Sequence, residues 1–298
     1  MEYFVSDHDL PIQVVQHPYF EYYLELLDPY YNCKQKYQML LDALNIFDGN
    51  EDELRKKIKG FIDGFIFNIN SNYQFIHFSK EFDMNEFKTN VPLSKTNIYN
   101  ATNNGLRFAS IDLVKANFQA LKFVGHKIFN GHPTYESFVS EQTDIEYIKK
   151  SKKIRQIIFG NLCPSRQQTV QRYIISLLKE FLIEKGITDI RSTSSDEIVF
   201  VTTNSEKELQ NILDSRPDTC AIKDVELKIK TFTLEQKGTL KYSFFVKRYD
   251  NGKQEIKGVD SAYLPEVIKY LENRPLTDYD RLFIRDNRLC RFEDSLFS

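Results

Sequence analysis

Asp112 sits near the end of the short apolar run Phe108-Ala109-Ser110-Ile111-Asp112-Leu113, and Asp196 opens a second one, Ser194-Ser195-Asp196-Glu197-Ile198-Val199-Phe200-Val201. Carboxylates carried on neighbouring strand ends suit phosphoryl transfer, because Mg2+ takes oxygen ligands in near-octahedral geometry and needs a rigid support. One such ion lowers the pKa of an attacking hydroxyl, and a second neutralises a triphosphate and its leaving oxygen. An aspartate at a strand end is by itself an ordinary turn residue. The chemistry therefore requires a tertiary fold that brings the two runs side by side.

Other chemistries find less support. Ser110, Ser194 and Ser195 lack the His and Asp partners of a nucleophilic triad. His126 and His132 stand alone, and a lone histidine is more often structural than catalytic. Cys33, Cys163, Cys220 and Cys290 are dispersed without a Cys-x-x-Cys pair, which argues against zinc and reads as reduced, structural thiols.

Between the two acidic runs lies the clearest helix pattern in the chain. It starts at Ser165 as N-cap with Gln168 three residues on, carries Val170, Tyr173, Ile174, Leu177, Leu178, Phe181 and Leu182 on one stripe, and stops at Gly186. Residues 107–113 read as a buried strand and 113–129 as its helical continuation; 131–153 is less regular and charged. Beyond Asp196 the pattern predicts a strand over 198–202, a helix over 205–215, strands over 225–234 and 240–247, a turn at Asp250-Asn251-Gly252, a helix near 265–272 and a charged tail. Upstream, 19–47 and 51–64 read as helical, and Phe65 to Ile69 with Tyr73 to Phe78 around Asn70-Ser71-Asn72 reads as a β-hairpin. The stretch from Asn85 to Gly105 turns polar and marks a boundary. No internal repeat or low-complexity segment is evident.

Composition sets outer bounds. A hydrophobic share of 41% with 28% charged residues is that of a globular protein with a full core, so disorder is excluded as the general state. A formal net charge of -2 means that a nucleic-acid surface has to be a local basic patch. Neither a leader-type N-terminus nor an apolar run long enough to span a bilayer is present, so no membrane partner is expected and the chain reads as soluble and intracellular, in cytoplasm or nucleoid.

Over roughly residues 105–270 the chain resembles family B DNA polymerases. Phe108 to Phe118 is similar to the family motif in which a strand ending in a metal-binding Asp opens a helix. Lys152-Lys153-Ile154-Arg155-Gln156-Ile157-Ile158-Phe159-Gly160 keeps the Lys, an aromatic and the Gly of the fingers motif. Ser194-Ser195-Asp196-Glu197 follows a long helix as the family's Asp-Thr-Asp-Ser does, with Ser194 in place of the first Asp. Val246-Lys247-Arg248-Tyr249, with Ile256-Lys257-Gly258 downstream, resembles the Lys-Lys-Arg-Tyr segment that touches primer and template.

The resemblance implies an α+β fold: a polymerase-like palm at 101–270, with a small antiparallel sheet backed by helices and short fingers at about 130–160, after a mixed N-terminal domain at 1–100 and before a tail at 271–298. It implies two Mg2+ ions on Asp112 and Asp196 with Glu197 assisting. Lys152 and Arg155 would neutralise a nucleoside triphosphate, and Asn117 would replace the tyrosine under the sugar. Lys247, Arg248, Tyr249 and Lys257 would hold a DNA or RNA primer-template. The implied activity is template-directed nucleotidyl transfer in DNA replication. With no exonuclease domain and little thumb, the chain looks like a divergent viral or mobile-element enzyme, or one subunit of a split polymerase with a partner chain. Ser195-Asp196-Glu197 is also similar to a segment of tRNA-His guanylyltransferases, which add nucleotides in the reverse direction. A catalytically silent, palm-derived binding or assembly subunit is the third expectation.

Overall fold

The computed structural model describes residues 1–89, 91–239 and 241–297. Its N-terminal section is helical, with α1 (Glu2–Asp7), α2 (Tyr19–Tyr31), α3 (Cys33–Asn45), α4 (Glu51–Asn70) and α5 (Tyr73–Lys80) leading through an irregular stretch into β1 (Arg107–Leu113). From β1 the chain passes through α6 (Ala116–Val124), α7 (Tyr135–Ser140), α8 (Glu146–Lys150), α9 (Lys152–Gly160) and α10 (Pro164–Glu184). It then forms the hairpin of β2 (Ile190–Thr193) and β3 (Glu197–Val201), followed by α11 (Glu206–Asp214) and β4 (Leu227–Gly238). The strands β5 (Ser243–Tyr249) and β6 (Gln254–Lys257), α12 (Leu264–Leu271) and a separate hairpin of β7 (Leu282–Arg285) with β8 (Arg288–Arg291) complete it.

The main sheet has the order β2-β3-β1-β4-β5-β6, and every neighbouring pair is antiparallel. It follows that β1 and β2 point the same way with β3 between them, and β3 and β4 point the same way with β1 between them. The β-α-β-β-α-β chain order thus interleaves two split β-α-β units, with β5 and β6 added at the β4 edge. The fold class is α+β, as expected.

Strand alternation divides the sheet into two faces. Ala109 and Ile111 of β1 and Ile198 and Phe200 of β3 are buried in one core with α6, α10 and α11. The same core continues into the N-terminal helices, where the Phe65 ring of α4 meets Phe138 at 5.2 Å and Phe159 at 6.2 Å. The other face carries a smaller cluster of Phe108, Val199, Phe232 and Tyr249, covered by Ile98 and Tyr99 of the irregular stretch.

Several local expectations are corrected. The hairpin read over Phe65 to Phe78 is helical: Leu54, Phe61, Phe65 and Ile69 form a buried stripe along α4, a helical period that overrides the short aromatic alternation. The apparent turn at Asn70-Ser71-Asn72 is the corner between helices, where Asn72 caps α5 by accepting from the Gln74 and Phe75 amides. The long helix begins at Pro164, not after Ser165, with Cys163 in the left-handed region as N-cap, because Pro at the first helical position has its fixed φ ready for the turn. Gly186 follows its end at φ +84°, as a stop residue should. The strand ending the chain's first acidic run is followed by α6 only from Ala116, Lys115 being left-handed. The charged C-terminal segment includes a hairpin. Of the strand read over 240–247, Leu240 lies outside the described residues and Ser243 begins β5.

Ile111→Ala, in the core on the packed face, should lower unfolding free energy by roughly 2–5 kcal/mol, whereas Lys228→Ala, exposed on the other face, should stay within about 0.5 kcal/mol. Urea denaturation of the two variants separates a packed face from an open one; equal losses would contradict this layering.

Candidate carboxylate site on the open face of the sheet

Asp112 stands directly opposite Glu197 across the β1–β3 pair. The Leu113 amide donates to the Asp196 carbonyl at 2.8 Å, so the next pair along is hydrogen-bonded and Asp112–Glu197 belongs to the closer, non-hydrogen-bonded class, with Cα atoms about 4.5 Å apart. Two carboxylates therefore project side by side from the open face. Burial raises the pKa of Glu197, and the neighbouring Asp112 raises it further. Lys247, the Ser110 hydroxyl that donates to Glu197, and Lys230 oppose the rise without cancelling it.

Cations surround the pair. Lys230 of β4 donates to Asp112 Oδ2 at 3.2 Å. Lys247 of β5 is buried, with Nζ 4.4 Å from the Phe232 ring centre and 5.8 Å from that of Tyr99. Burial lowers its pKa, while Glu197 favours the charged form. Register places Asp112, Glu197, Lys228, Lys230, Lys247, Tyr249, Glu255 and Lys257 on this one face.

Asp196 lies at the tip of the β2–β3 hairpin. Its Oδ1 accepts from the Ser194 hydroxyl at 2.8 Å, and Ser194 Oγ in turn accepts from the Glu197 amide at 3.0 Å. That turn is tied down from the outside, since the Thr193 amide donates to the Ser94 carbonyl at 2.8 Å. A cleft of about 570 Å³ opens at the tip, lined by Asp196 and Glu197, by Lys95 of the irregular stretch, and by Gln168 and Arg172 of α10. A second cavity of about 440 Å³, reached past Lys95 and Tyr99, also meets Glu197 and Lys247.

The other expected site residues fall in three places. Asn117 opens α6 beyond β1 and accepts from Gln171 of α10 at 2.6 Å, so it anchors one helix to the other. Tyr249 faces the acid pair's side of the sheet; burial and then Glu255 raise its pKa. Lys257 pairs with Glu255 at 3.2 Å on the same face, whereas Arg248 points to the opposite side and pairs with Glu235 at 3.0 Å. Lys152 is not among the residues of the Asp196 cleft: it pairs with Asp9 at 2.6 Å and lines a different cleft beside β6. Arg155 is turned into the helical section, its guanidinium 5.9 Å from the Tyr135 ring centre, and burial lowers its pKa. The structure thus gathers Asp112, Glu197 and Lys247, keeps Asp196 at the adjoining tip, and sends Lys152 and Arg155 elsewhere.

Lys230 and Lys95 escaped the sequence reading. The signal for Lys230 was present in Leu227-Lys228-Ile229-Lys230, where lysines at alternate strand positions share a face; the strand that they face could not be known. Lys95 sits in an irregular segment and had no such signal.

No family model matches the chain, and no curated protein or solved structure matches it. Function therefore rests on the site itself.

Because the folded state holds the Glu197 proton more tightly than the unfolded chain, stability contributed at low pH declines as pH rises through the native pKa of Glu197. Glu197→Gln should consequently raise Tm relative to the parent at neutral pH, and the gain should vanish at or below about pH 4, where both states of the parent protonate this group. Thermal melts across pH test this; a gain independent of pH would refute the cost of holding Glu197 charged in this position.

Proposed function

We propose that the chain is a template-directed nucleotidyltransferase of polymerase-like palm type, joining a nucleoside triphosphate to the 3′-hydroxyl of a primer. The observation that carries this reading is the pairing of Asp112 with Glu197 on adjacent central strands, Glu197 also lining a cleft edged by Lys95 and Arg172.

The donor set fits a hard divalent cation. Two carboxylates abut in a partly buried position, and burial first, then the Asp112 charge, raises the pKa of Glu197. Among the described residues no group of three or more His, Cys, Asp and Glu converges on one point, so Asp112 and Glu197 would hold Mg2+ with water and substrate phosphates as its remaining ligands. Bound there, Mg2+ would supply charge neutralisation and acidify a hydroxyl, and a second ion would arrive with the triphosphate.

The protein's own contribution is positioning and charge. Lys95 and Arg172 are the cations to receive the triphosphate, in place of the Lys152 and Arg155 expected from the resemblance. Asn117, held by Gln171, fixes the start of α6 beside the hairpin tip. Lys257, partly exposed at the β6 edge, gives this face a cation toward a nucleic-acid strand, while Lys247 and Tyr249 are buried against Phe232 and support the face from within, Lys247 adding its charge from there.

One contact favours a silent binding or assembly subunit instead: Lys230 already neutralises Asp112, where a metal would sit. In the catalytic reading Lys230 would be the cation nearest to Asp112 to meet a substrate phosphate.

Asp112→Asn and Glu197→Gln should each reduce Mg2+-dependent primer extension by at least about a hundredfold, on the scale of losing one preorganised electrostatic group. Asp196→Asn, which keeps the hydrogen bond from Ser194, should lose less than about tenfold if it serves chiefly to shape the turn. Full activity in the Asp112 variant would reject the assignment. Absence of any Tm rise with Mg2+ and a nucleotide would favour the silent subunit.

A further inference from the structure

A separate cleft of about 440 Å³ lies where the corner between α2 and α3 faces the outer edge of β6, and it combines features of a phosphate site with features of a base site. Its cations are Lys36 of α3, Lys152 of α9, Lys253 before β6 and Lys257 within it. Two carboxylates line it as well, and each has a lysine of its own: Asp9 pairs with Lys152 at 2.6 Å, and Glu255 with Lys257 at 3.2 Å. Lys36 and Lys253 remain as positive charge in excess. Lys36 is half-buried, and burial followed by the nearby Lys253 and Lys152 makes its charged form costly, while the Cys33 thiol and Asp9 partly offset this.

Polar and aromatic groups complete the lining. Tyr30 and Tyr31 stand at the end of α2, next to Asn32 in the left-handed corner. His8, only 6% exposed, also lines the cleft, and its Nε2 is buried without a hydrogen-bond partner among the described residues. Burial and Lys36 push the His8 imidazole down to about 4, so it is neutral at physiological pH and offers a hydrogen bond without charge. Unpaired buried polar atoms are costly, and a ligand group would relieve this one.

We infer that this cleft binds the phosphate backbone and a stacked base of a single nucleic-acid strand leaving the open face of the sheet. The cleft shares Glu255 and Lys257 with that face, and between it and Asp112 stand the partly exposed Lys230 of β4 and, buried beside Tyr99, Lys247 of β5. Three strand spacings separate β1 from β6, roughly 14 Å at about 4.8 Å each, which at about 3.4 Å per stacked nucleotide is close to four nucleotides. A free nucleotide is too short to use that whole track. The inference deepens the proposed function, on which the identity of the strand rests, and gives the N-terminal helices a role as one wall of the strand's path.

The test uses the full chain, a fluorescently labelled short single-stranded oligonucleotide and anisotropy titrations over a range of salt, with ATP as the competing free nucleotide. The doubly reversed variant K36E/K253E should bind the oligonucleotide at least roughly tenfold more weakly at low salt. It should also lose about 1.4 from the slope of log affinity against log salt, about 0.7 for each phosphate contact on a single strand. Lys253→Ala, a change at an exposed turn residue, should lose about half of that slope and guards against misfolding of the double variant. Unchanged oligonucleotide affinity in both cleft variants overturns the inference, even if Asp112→Asn abolishes primer extension and the catalytic reading stands. Loss of ATP binding in these variants with the oligonucleotide unaffected also overturns it, because the cleft would then be a free-nucleotide site. Weakened strand binding in the cleft variants supports it, even if primer extension is never detected.

Discussion

The antiparallel register of β1 against β3 is the constraint from which the candidate site follows. It sets Asp112 opposite Glu197 in the close class of cross-strand pair, so two like charges share one patch of a partly buried surface. Such a pair is destabilising unless something positive stands near it. The register cannot slip to relieve it. A shift of β1 by one residue would turn Ala109 and Ile111 out of the core and bring Ser110 and Asp112 into it, against Ile198 and Phe200.

The surroundings answer that electrostatic cost in layers. Lys230 reaches Asp112 directly, Ser110 donates to Glu197, and Lys247 contributes its field from a position held against Phe232 and Tyr99. Glu197 nevertheless keeps a raised pKa, because its burial and the Asp112 charge outweigh these compensations. A site that is partly, not wholly, compensated is what a binding or catalytic role requires, and perturbed carboxylates in a cleft are a physical pointer to one.

The helical N-terminal section contributes beyond bulk. Phe65 and its aromatic neighbours join it to the helices between β1 and β2 in one continuous core, which fixes the α2–α3 corner against the β6 edge. Clefts thus open at both ends of the charged face, one at the hairpin tip beside Asp196 and one beside Lys257.

Much of the local structure was legible in the chain. The strand over 107–113, the helix over 205–215 and the end of the long helix before Gly186 rest on short-range rules of alternation and helix stops, and they recur in the structure, where a Ser205–Glu208 capping box starts α11. The hairpin read over 65–78 failed because aromatic alternation in a short window competes with a helical stripe whose partners, Phe138 and Phe159, are far along the chain. The sequence by itself determined that acidic residues would stand on apolar strands flanking a long amphipathic helix, since side-chain periodicity is a local property of the backbone. Only the tertiary structure decided that the partner of Asp112 on its face is Glu197, with Asp196 held in the turn, and that Lys230 and Lys95, and not Lys152, are its neighbouring cations. Strand register and the docking of distant segments arise from burial of the whole core, and no short window of residues contains that information.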